Sequence, residues 1–325
     1  MYHLKYSLRN KHPIIILIIS LIYSYIMGSG LYGGFFVDYY GSYSWDNFNP
    51  QPWYKDRLGW HIVTLKIYNI RMGVYITSFV LSFSIGKLIS CFFKINKNYS
   101  LLFFLTLYLI ILHTWPVFNS TSNAMRQGLG MSFMYLSLCA IYKNKDKKSI
   151  FFIILTYFLH FKTGIVFVFL YFIIKFLDLL NNTFLKKYNK IILLLTGLLL
   201  SVLIYLCMYF LDPKLEFSHR IIGNDFSLMF FILNVILIFL FNYKLNFIIT
   251  SKLFKFAYLY LFLIISVYFM ELSTQFERLH MVMLILNIFI VGLFIKKKQT
   301  AFYWLLSFSG LFFMTYYTGM FSILR

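Results

Sequence analysis

Charged residues are scarce in this sequence: they make up 12% of 325 residues, whereas a soluble domain carries about a quarter. Hydrophobic residues reach 61%, and the mean hydropathy is +0.76. This composition excludes an ordinary soluble protein, and no segment indicates a separate soluble domain. Apolar runs of roughly 17 to 25 residues, long enough to cross a bilayer as helices, recur along the chain.

Cysteine is equally rare, and the usual catalytic motifs are missing. Cys91, Cys139 and Cys207 all lie in apolar segments, which indicates core residues instead of a disulfide framework. We find no P-loop, no H-E-x-x-H, no G-x-S-x-G and no cluster of metal ligands, so neither a metal nor a cofactor is expected. Gly28–Gly33 matches G-x-G-x-x-G, but it follows a membrane helix and opens no βαβ unit.

Acidic residues number only 10 against 30 lysines and arginines, for a net charge of +20. In a soluble protein this excess would favour nucleic acid as a partner. Here the lysines form short clusters between apolar runs, which is typical of cytoplasmic loops. We therefore expect membrane lipids and no nucleic acid.

The apolar segments predict an all-α polytopic membrane protein, a single domain over residues 1–325 with about 11 transmembrane helices, or roughly 10 to 12. Lys5, Arg9 and Lys11 precede the first apolar run, which continues into further spans and so is interpreted as a helix, not a cleaved signal. The predicted spans are 13–33, 73–93, 100–116, 123–142, 149–160, 163–178, 191–211, 226–243, 254–271, 279–295 and 300–319.

With the N-terminus in the cytoplasm, the predicted inner segments hold 20 of the 30 basic residues, nearly all of them lysine. Arg9 is the one arginine inside. The other arginines fall on the outer side, which the positive-inside rule alone does not predict. We infer that they serve another purpose.

Two regions break the simple alternation of spans. Residues 34–72 form an outer loop in which 58–71 is too short and polar to span, so we predict an amphipathic or re-entrant helix there. Residues 149–178 form a short-helix hairpin with legs of about 12 to 15 residues, too short for a core of about 30 Å. Its turn, 160–164, should line protein or a wet cavity and is a candidate site wall.

Arg126 is the sharpest candidate for chemistry. It lies at the outer start of a span, on one helix face with Ser122 and Gly130, and Ser120, Ser122 or Asn123 are expected to cap that helix. A guanidinium offers a planar fork of donors that matches phosphate oxygens, and the helix N-terminus adds positive potential. The alternative is that Arg126 reaches into the lipid headgroups.

Other polar residues are weaker candidates. Arg278, beside Glu277, begins a late span, and Arg220 lies in a second outer loop, residues 212–225; both have the alternative of a solvated surface charge. His160 and Lys162 occupy the predicted turn, where the histidine is a general base, a phosphate donor or a structural residue.

The outer loop 34–57 is rich in aromatic residues beside the carboxylates of Asp38, Asp46 and Asp56. Aromatic rings stack on the C–H faces of sugars, and carboxylates accept bonds from sugar hydroxyls. The alternative is an aromatic belt at the membrane interface.

Taken in order, these features resemble the EpsG-like family of bacterial polysaccharide polymerases, relatives of the Wzy O-antigen and capsule polymerases. The resemblance is carried by Asn-Ala-Met-Arg126-Gln-Gly-Leu-Gly130, a lysine-rich loop, His160-Phe-Lys-Thr163-Gly164 and Glu277-Arg278. Gly130 stands where family members often have alanine.

The resemblance implies a GT-C-like membrane glycosyltransferase in the bacterial inner membrane. Such enzymes join oligosaccharide repeat units carried on undecaprenyl pyrophosphate, as donor and acceptor, on the periplasmic side. Arg126 and Arg278, supported by Arg220 or Lys162, would bind pyrophosphate, and His160, Asp38, Asp56 or Glu277 would be the base. A chain-length regulator and a flippase are the implied protein partners. The competing functions are a transporter or flippase of lipid-linked oligosaccharide and a membrane acyltransferase.

Overall fold

The computed structural model describes residues 2–29, 57–68, 70–95, 101–122, 124–180, 188–215 and 252–268, with isolated positions up to 282. In these residues the chain forms helices and one short hairpin, which confirms the helical fold predicted from composition. The helices are α1 (Tyr2–Gly28), α2 (Arg57–Val63), α3 (Met72–Ile95), α4 (Leu101–Leu112), α5 (Trp115–Ser122), α6 (Met125–Tyr142), α7 (Asp146–Leu159), α8 (Phe161–Leu180), α9 (Asn189–Leu215) and α10 (Lys252–Tyr268).

The chain divides into two compact units, one of Met1–Phe167 with Ala301–Arg325 and one of Val168–Thr300. Within the described residues, the first unit holds α1 to α7 and the beginning of α8, and the second holds the rest of α8, α9 and α10. The single transmembrane domain expected over 1–325 stays a prediction.

Two of the described helices are long and apolar enough to cross a membrane, over Met72–Cys91 and Thr163–Leu180. They correspond to the predicted spans 73–93 and 163–178. The apolar parts of α1 and α9, Pro13–Gly28 and Asn189–Leu203, are shorter. The predicted spans 226–243, 279–295 and 300–319 fall almost wholly outside the described residues, so the count of about 11 stays a prediction.

Buried hydroxyl groups join the helices of the first unit. Tyr108 on α4 donates to the carbonyl oxygen of Ser82 on α3 at 2.8 Å and lies 3.0 Å from the Oγ of Ser20 on α1. Gly86 of α3 lets these helices approach, because an added Cβ would lie 2.7 Å from Ile16 and 2.9 Å from Tyr108. Such bonds and small residues supply helix association where lipid removes the hydrophobic driving force.

The span predicted over 100–116 is wrong in one respect: it is two helices, α4 and α5, separated at residues 113–114. Pro116, the second residue of α5, has no N–H to donate to the carbonyl of Leu112, and in a continuous helix its ring would crowd that carbonyl. The Tyr23 hydroxyl on α1 donates to Leu112 O at 3.1 Å instead. Proline therefore ends α4, and a side chain from another helix satisfies the released carbonyl.

Helices α6 and α7 form an antiparallel pair in which the hydroxyls of Ser137 and Ser149 lie 3.0 Å apart. Their connection and the first three residues of α7, together 143–148, are exposed and carry the predicted cytoplasmic lysines. With 14 residues, α7 matches the predicted short leg, about 21 Å long. The second leg was predicted too short: α8 has 20 residues, about 30 Å, because its apolar sequence continues to Leu180.

Cys91 and Cys139 are buried free cysteines, as the sequence predicted. The side chain of Cys207 lies outside the described residues. In the second unit, Asp178 at the end of α8 accepts a 2.7 Å hydrogen bond from the Lys255 Nζ on α10 and lies 3.5 Å from the Lys252 Nζ. Gly197 of α9 packs on the Phe262 ring, and Ser201 donates to the Phe262 carbonyl at 2.7 Å.

Candidate functional site

The segment preceding α3 positions one side of the site. A helix was predicted over 58–71, but only the first half of that segment is helical, as α2. The second half forms two short antiparallel strands, Lys66–Ile67 and Ile70–Arg71. Tyr68 begins the turn between them with a φ of 47°, a left-handed conformation that suits a two-residue hairpin turn. The hairpin leads directly into α3 at Met72.

Helix α2 packs across the end of α7 and the beginning of α6. An added Cβ on Gly59 would meet the carbonyl oxygen of Leu159, the last residue of α7, so α2 can approach only because residue 59 is glycine. The next residue, Trp60, places its ring 4.1 Å from the guanidinium carbon of Arg126. A cation–π contact of this kind contributes about 0.5–2 kcal/mol, more as water is excluded. Trp60 thus fixes the position of the guanidinium.

Arg126 lies in the first turn of α6, as predicted, but the caps predicted at Ser120 and Ser122 are wrong. The residue preceding the helix is Ala124, which makes no side-chain cap. Ser120 and Ser122 belong to the separate helix α5, and the Ser120 hydroxyl contacts the Met131 sulfur at 3.6 Å. Ser122 therefore does not share a helix face with Arg126, and Asn123 lies outside the described residues. Arg126 and Gly130 do share a face, one turn apart.

Gly130 is the contact point between α6 and His160. A Cβ at position 130 would lie 2.8 Å from the His160 Cβ and 3.7 Å from its Cγ. The missing side chain lets His160 approach α6 this closely. His160 therefore packs against the α6 position that lies one helical turn, about 6 Å along the axis, from Arg126.

His160 is the one residue between α7 and α8. The turn predicted over 160–164 is shorter in the structure, because residues 161–164 already belong to the first turn of α8. His160 has an extended backbone, with φ −151° and ψ 95°. Its Nδ1 lies 2.7 Å from the Thr163 Oγ1 and accepts the Thr163 backbone N–H at 3.3 Å.

The site is enclosed by protein. His160 and Thr163 are buried, Arg126 and Trp60 are half-buried, and the extended backbone of His160 lies against α6. Within the described residues of the first unit, Asp146 is the one carboxylate, and it lies at the far ends of α6 and α7. Asp146 is thus about 21 Å along α7 from His160. The Arg126 guanidinium and the N-terminus of α6 both contribute positive potential, which suits an anion.

Only part of the predicted site can be located. The side chains of Arg126 and His160 are described and lie near each other, whereas Lys162 is described only as backbone in α8. Asp38, Asp56, Arg220, Glu277 and Arg278 lie outside the described residues, so the expected proximity of Arg278 to Arg126 stays a prediction. Trp60 was missed, because a contact between residues 60 and 126 leaves no local sequence pattern.

Comparison with known proteins yields one family. The family model described as the EpsG family matches residues 13–323. No curated protein and no solved structure matches the chain. The family match covers all the described helices except the first residues of α1, and it includes Trp60, Arg126 and His160.

Proposed function

Because this chain belongs to the EpsG family of polysaccharide polymerase-like membrane proteins, we propose that it joins oligosaccharide repeat units carried on undecaprenyl pyrophosphate. The reaction is glycosyl transfer on the outer, periplasmic face of the bacterial inner membrane. The growing chain is the donor, and the next lipid-linked unit is the acceptor. Residue Arg126 and its surroundings are the proposed binding site for the donor's pyrophosphate.

One observation carries this proposal: the Arg126 guanidinium lies over the Trp60 ring, and the buried His160 packs against Gly130, one turn along α6 from Arg126. Two groups capable of donating to an anion thus converge in a half-buried site at a helix N-terminus. The ring restricts the position of the guanidinium, which a side chain that merely reached into lipid headgroups would not need. Fixed donors of this kind are what a departing diphosphate requires.

The chemistry follows from the leaving group. As the bond between the anomeric carbon and the phosphate oxygen breaks, its electron pair remains on the diphosphate, which gains negative charge. Arg126 binds that charge through a bidentate fork, and the limited access of water strengthens the interaction. Arg278, with Arg220 or Lys162, is proposed to bind the second phosphate. The attacking sugar hydroxyl gives its proton to a base, for which His160, Asp38, Asp56 and Glu277 are the sequence candidates.

The aromatic outer loop 34–57 is proposed to contact the sugars. The substrate arrives from a flippase, and a chain-length regulator is a proposed partner. The N-terminus lies in the cytoplasm in this scheme, so that the exposed lysines of residues 143–148 face inward and Arg126 faces outward.

The test is polymerisation by the purified protein in nanodiscs, with lipid-linked repeat units as the only substrate. We expect a ladder of products from the wild type and from Lys143→Ala, a control at the exposed end of the same helix. We expect no ladder from Arg126→Ala, and a loss of about 100-fold or more from Arg126→Lys, because an ammonium cannot replace the fork.

The competing function, transport of the lipid-linked unit, is separated by the same preparation. A transporter moves the unit between leaflets without changing its length. Wild-type protein that forms no ladder but speeds transfer across the bilayer would overturn the polymerase proposal. A normal ladder from Arg126→Ala would be consistent with a polymerase but would show that Arg126 is not its pyrophosphate-binding residue.

A further inference from the structure

His160 does more than separate two helices: its side chain caps α8. Counting from His160, Thr163 is the third residue of α8, whose backbone N–H has no acceptor within the helix. That N–H donates to the His160 Nδ1 at 3.3 Å, and the Thr163 hydroxyl lies 2.7 Å from the same nitrogen. This is the geometry of a helix N-cap, with an imidazole nitrogen in place of the usual oxygen.

The cap determines where the imidazole carries its proton. A backbone N–H can only donate, so Nδ1 must offer its lone pair, and the proton of the neutral ring is on Nε2. A second proton on Nδ1 would break the cap and place positive charge at the positive end of α8. The cap therefore favours a neutral ring that carries its proton on Nε2 and whose accepting nitrogen, Nδ1, is occupied.

We propose that His160 is a neutral hydrogen-bond donor to the leaving diphosphate and is not the general base. Its Nε2–H binds a phosphate oxygen beside Arg126, and Thr163 is the positioning residue that sets the tautomer. The identity of the ligand as a diphosphate rests on the proposed function, whereas the tautomer of His160 rests only on its hydrogen bonds. Arg126 supplies charge, and His160 supplies a directed donor without adding a second cation.

The proton balance then assigns the base elsewhere. The acceptor hydroxyl oxygen bonds to the anomeric carbon while the bond from that carbon to the phosphate oxygen breaks. The hydroxyl proton needs an acceptor, which Nδ1 of His160 cannot be while it caps α8. We assign that role to a carboxylate, one of Asp38, Asp56 and Glu277.

Two substitutions at position 160 distinguish three roles for this histidine: hydrogen-bond donor, general base and helix cap. In His160→Gln the amide nitrogen replaces Nε2 as a donor but is no base. In His160→Asn the amide oxygen replaces Nδ1 as the cap, but no group reaches the position of Nε2. A donor role predicts polymerisation within about tenfold of wild type for His160→Gln and a loss of about 100-fold or more for His160→Asn.

The other outcomes overturn the proposal. If both folded variants lose activity equally, His160 acts as a base; if His160→Asn is active and His160→Gln is not, it serves only as a cap. Nitrogen NMR of histidine-labelled wild-type protein in nanodiscs supplies an independent test, with the His160 signals assigned by their loss in His160→Gln. We expect the Nε2-protonated neutral ring, and an Nδ1–H tautomer or a charged ring would overturn the inference.

The role of Thr163 in setting the tautomer is tested by the same His160 nitrogen resonances. Thr163→Val removes the hydroxyl contact to Nδ1, so the Nδ1 resonance should move, whereas Thr163→Ser should leave it in place. An unmoved resonance in Thr163→Val would remove Thr163 from this role. Because the NMR measurement needs no substrate, it still decides the state of His160 if the protein proves not to be a polymerase.

Discussion

The Cβ of His160 lies where the side chain of residue 130 would be, so Gly130 and His160 are in direct contact across α6 and α7. This contact sets the depth of His160 relative to Arg126, one turn along the same helix face. Position 130 therefore sets how closely His160 can approach α6.

Gly130→Ala should therefore disturb the site. The added methyl would lie 2.8 Å from the His160 Cβ, and insertions into packed cores cost about 1–3 kcal/mol. The matched control is Gly197→Ala in the second unit, whose methyl would lie 2.7 Å from the Phe262 ring. Both variants should lower the melting temperature, but only Gly130→Ala should lower polymerisation per folded molecule. Equal polymerisation in the two variants would show that the contact has no functional role.

Trp60→Ala should weaken the reaction without abolishing it. Loss of a cation–π contact worth about 0.5–2 kcal/mol corresponds to a fall of about 2- to 30-fold in kcat/KM. Trp60→Phe should fall between wild type and Trp60→Ala, because phenylalanine keeps a ring with a weaker quadrupole. Tyr68→Ala is the control, since this aromatic side chain in the same segment is 96% exposed. A larger loss in Tyr68→Ala than in Trp60→Ala would contradict the assignment.

Tyr23 and Pro116 should be energetically coupled. Tyr23→Phe removes the donor to Leu112 O, with an expected cost of about 1 kcal/mol in the free energy of unfolding. In Pro116→Ala, residue 116 regains an N–H that can donate to the same carbonyl, so Tyr23→Phe should cost less in that background. A double-mutant cycle of unfolding measurements detects the difference. Strictly additive effects would mean that the Tyr23 hydroxyl does not compensate for the proline.

Asp178→Asn should destabilise the second unit through Lys255. The Lys255 side chain is 5% exposed and depends on the Asp178 carboxylate, which is 24% exposed. Breaking a buried pair costs about 3 kcal/mol at the low end of measured values, and solvent at Asp178 places the expectation there or below. Lys252→Gln should cost much less, because that ion pair is longer and more exposed. The double variant Asp178→Asn, Lys255→Met should recover most of the loss, and failure to recover would point to another role for the carboxylate.

The sequence predicted those parts of the site that depend on local rules. The cationic side chain at the start of α6 and the break at His160 follow from apolar periodicity, helix length and the lysine clusters. The length of α3 was predicted to within two residues at each end. These features depend on the membrane's thickness and on backbone hydrogen bonding, both of which leave marks in a single sequence.

Other features depend on partners distant in sequence, and the sequence did not predict them. Ser120 and Ser122 are good helix caps by type, but they were used within α5. Pro116 is a residue type that breaks helices, but a break inside an apolar run needs another donor for the released carbonyl. Nothing in the sequence around Tyr23 indicates that its hydroxyl is that donor. Trp60 is one aromatic residue among 72 phenylalanines, tyrosines and tryptophans, so only the fold could single it out.

The bond from Tyr23 to Leu112 joins residues 89 positions apart and has a consequence for biogenesis. During synthesis the first helix is made long before the proline break leaves the ribosome. If α1 is already in the membrane, the Leu112 carbonyl can accept a bond from Tyr23 as it enters the hydrocarbon region. If α1 is absent, that carbonyl must stay in contact with water or the insertion machinery. Helix α1 thereby assists the insertion of α4 and α5 from within the same polypeptide.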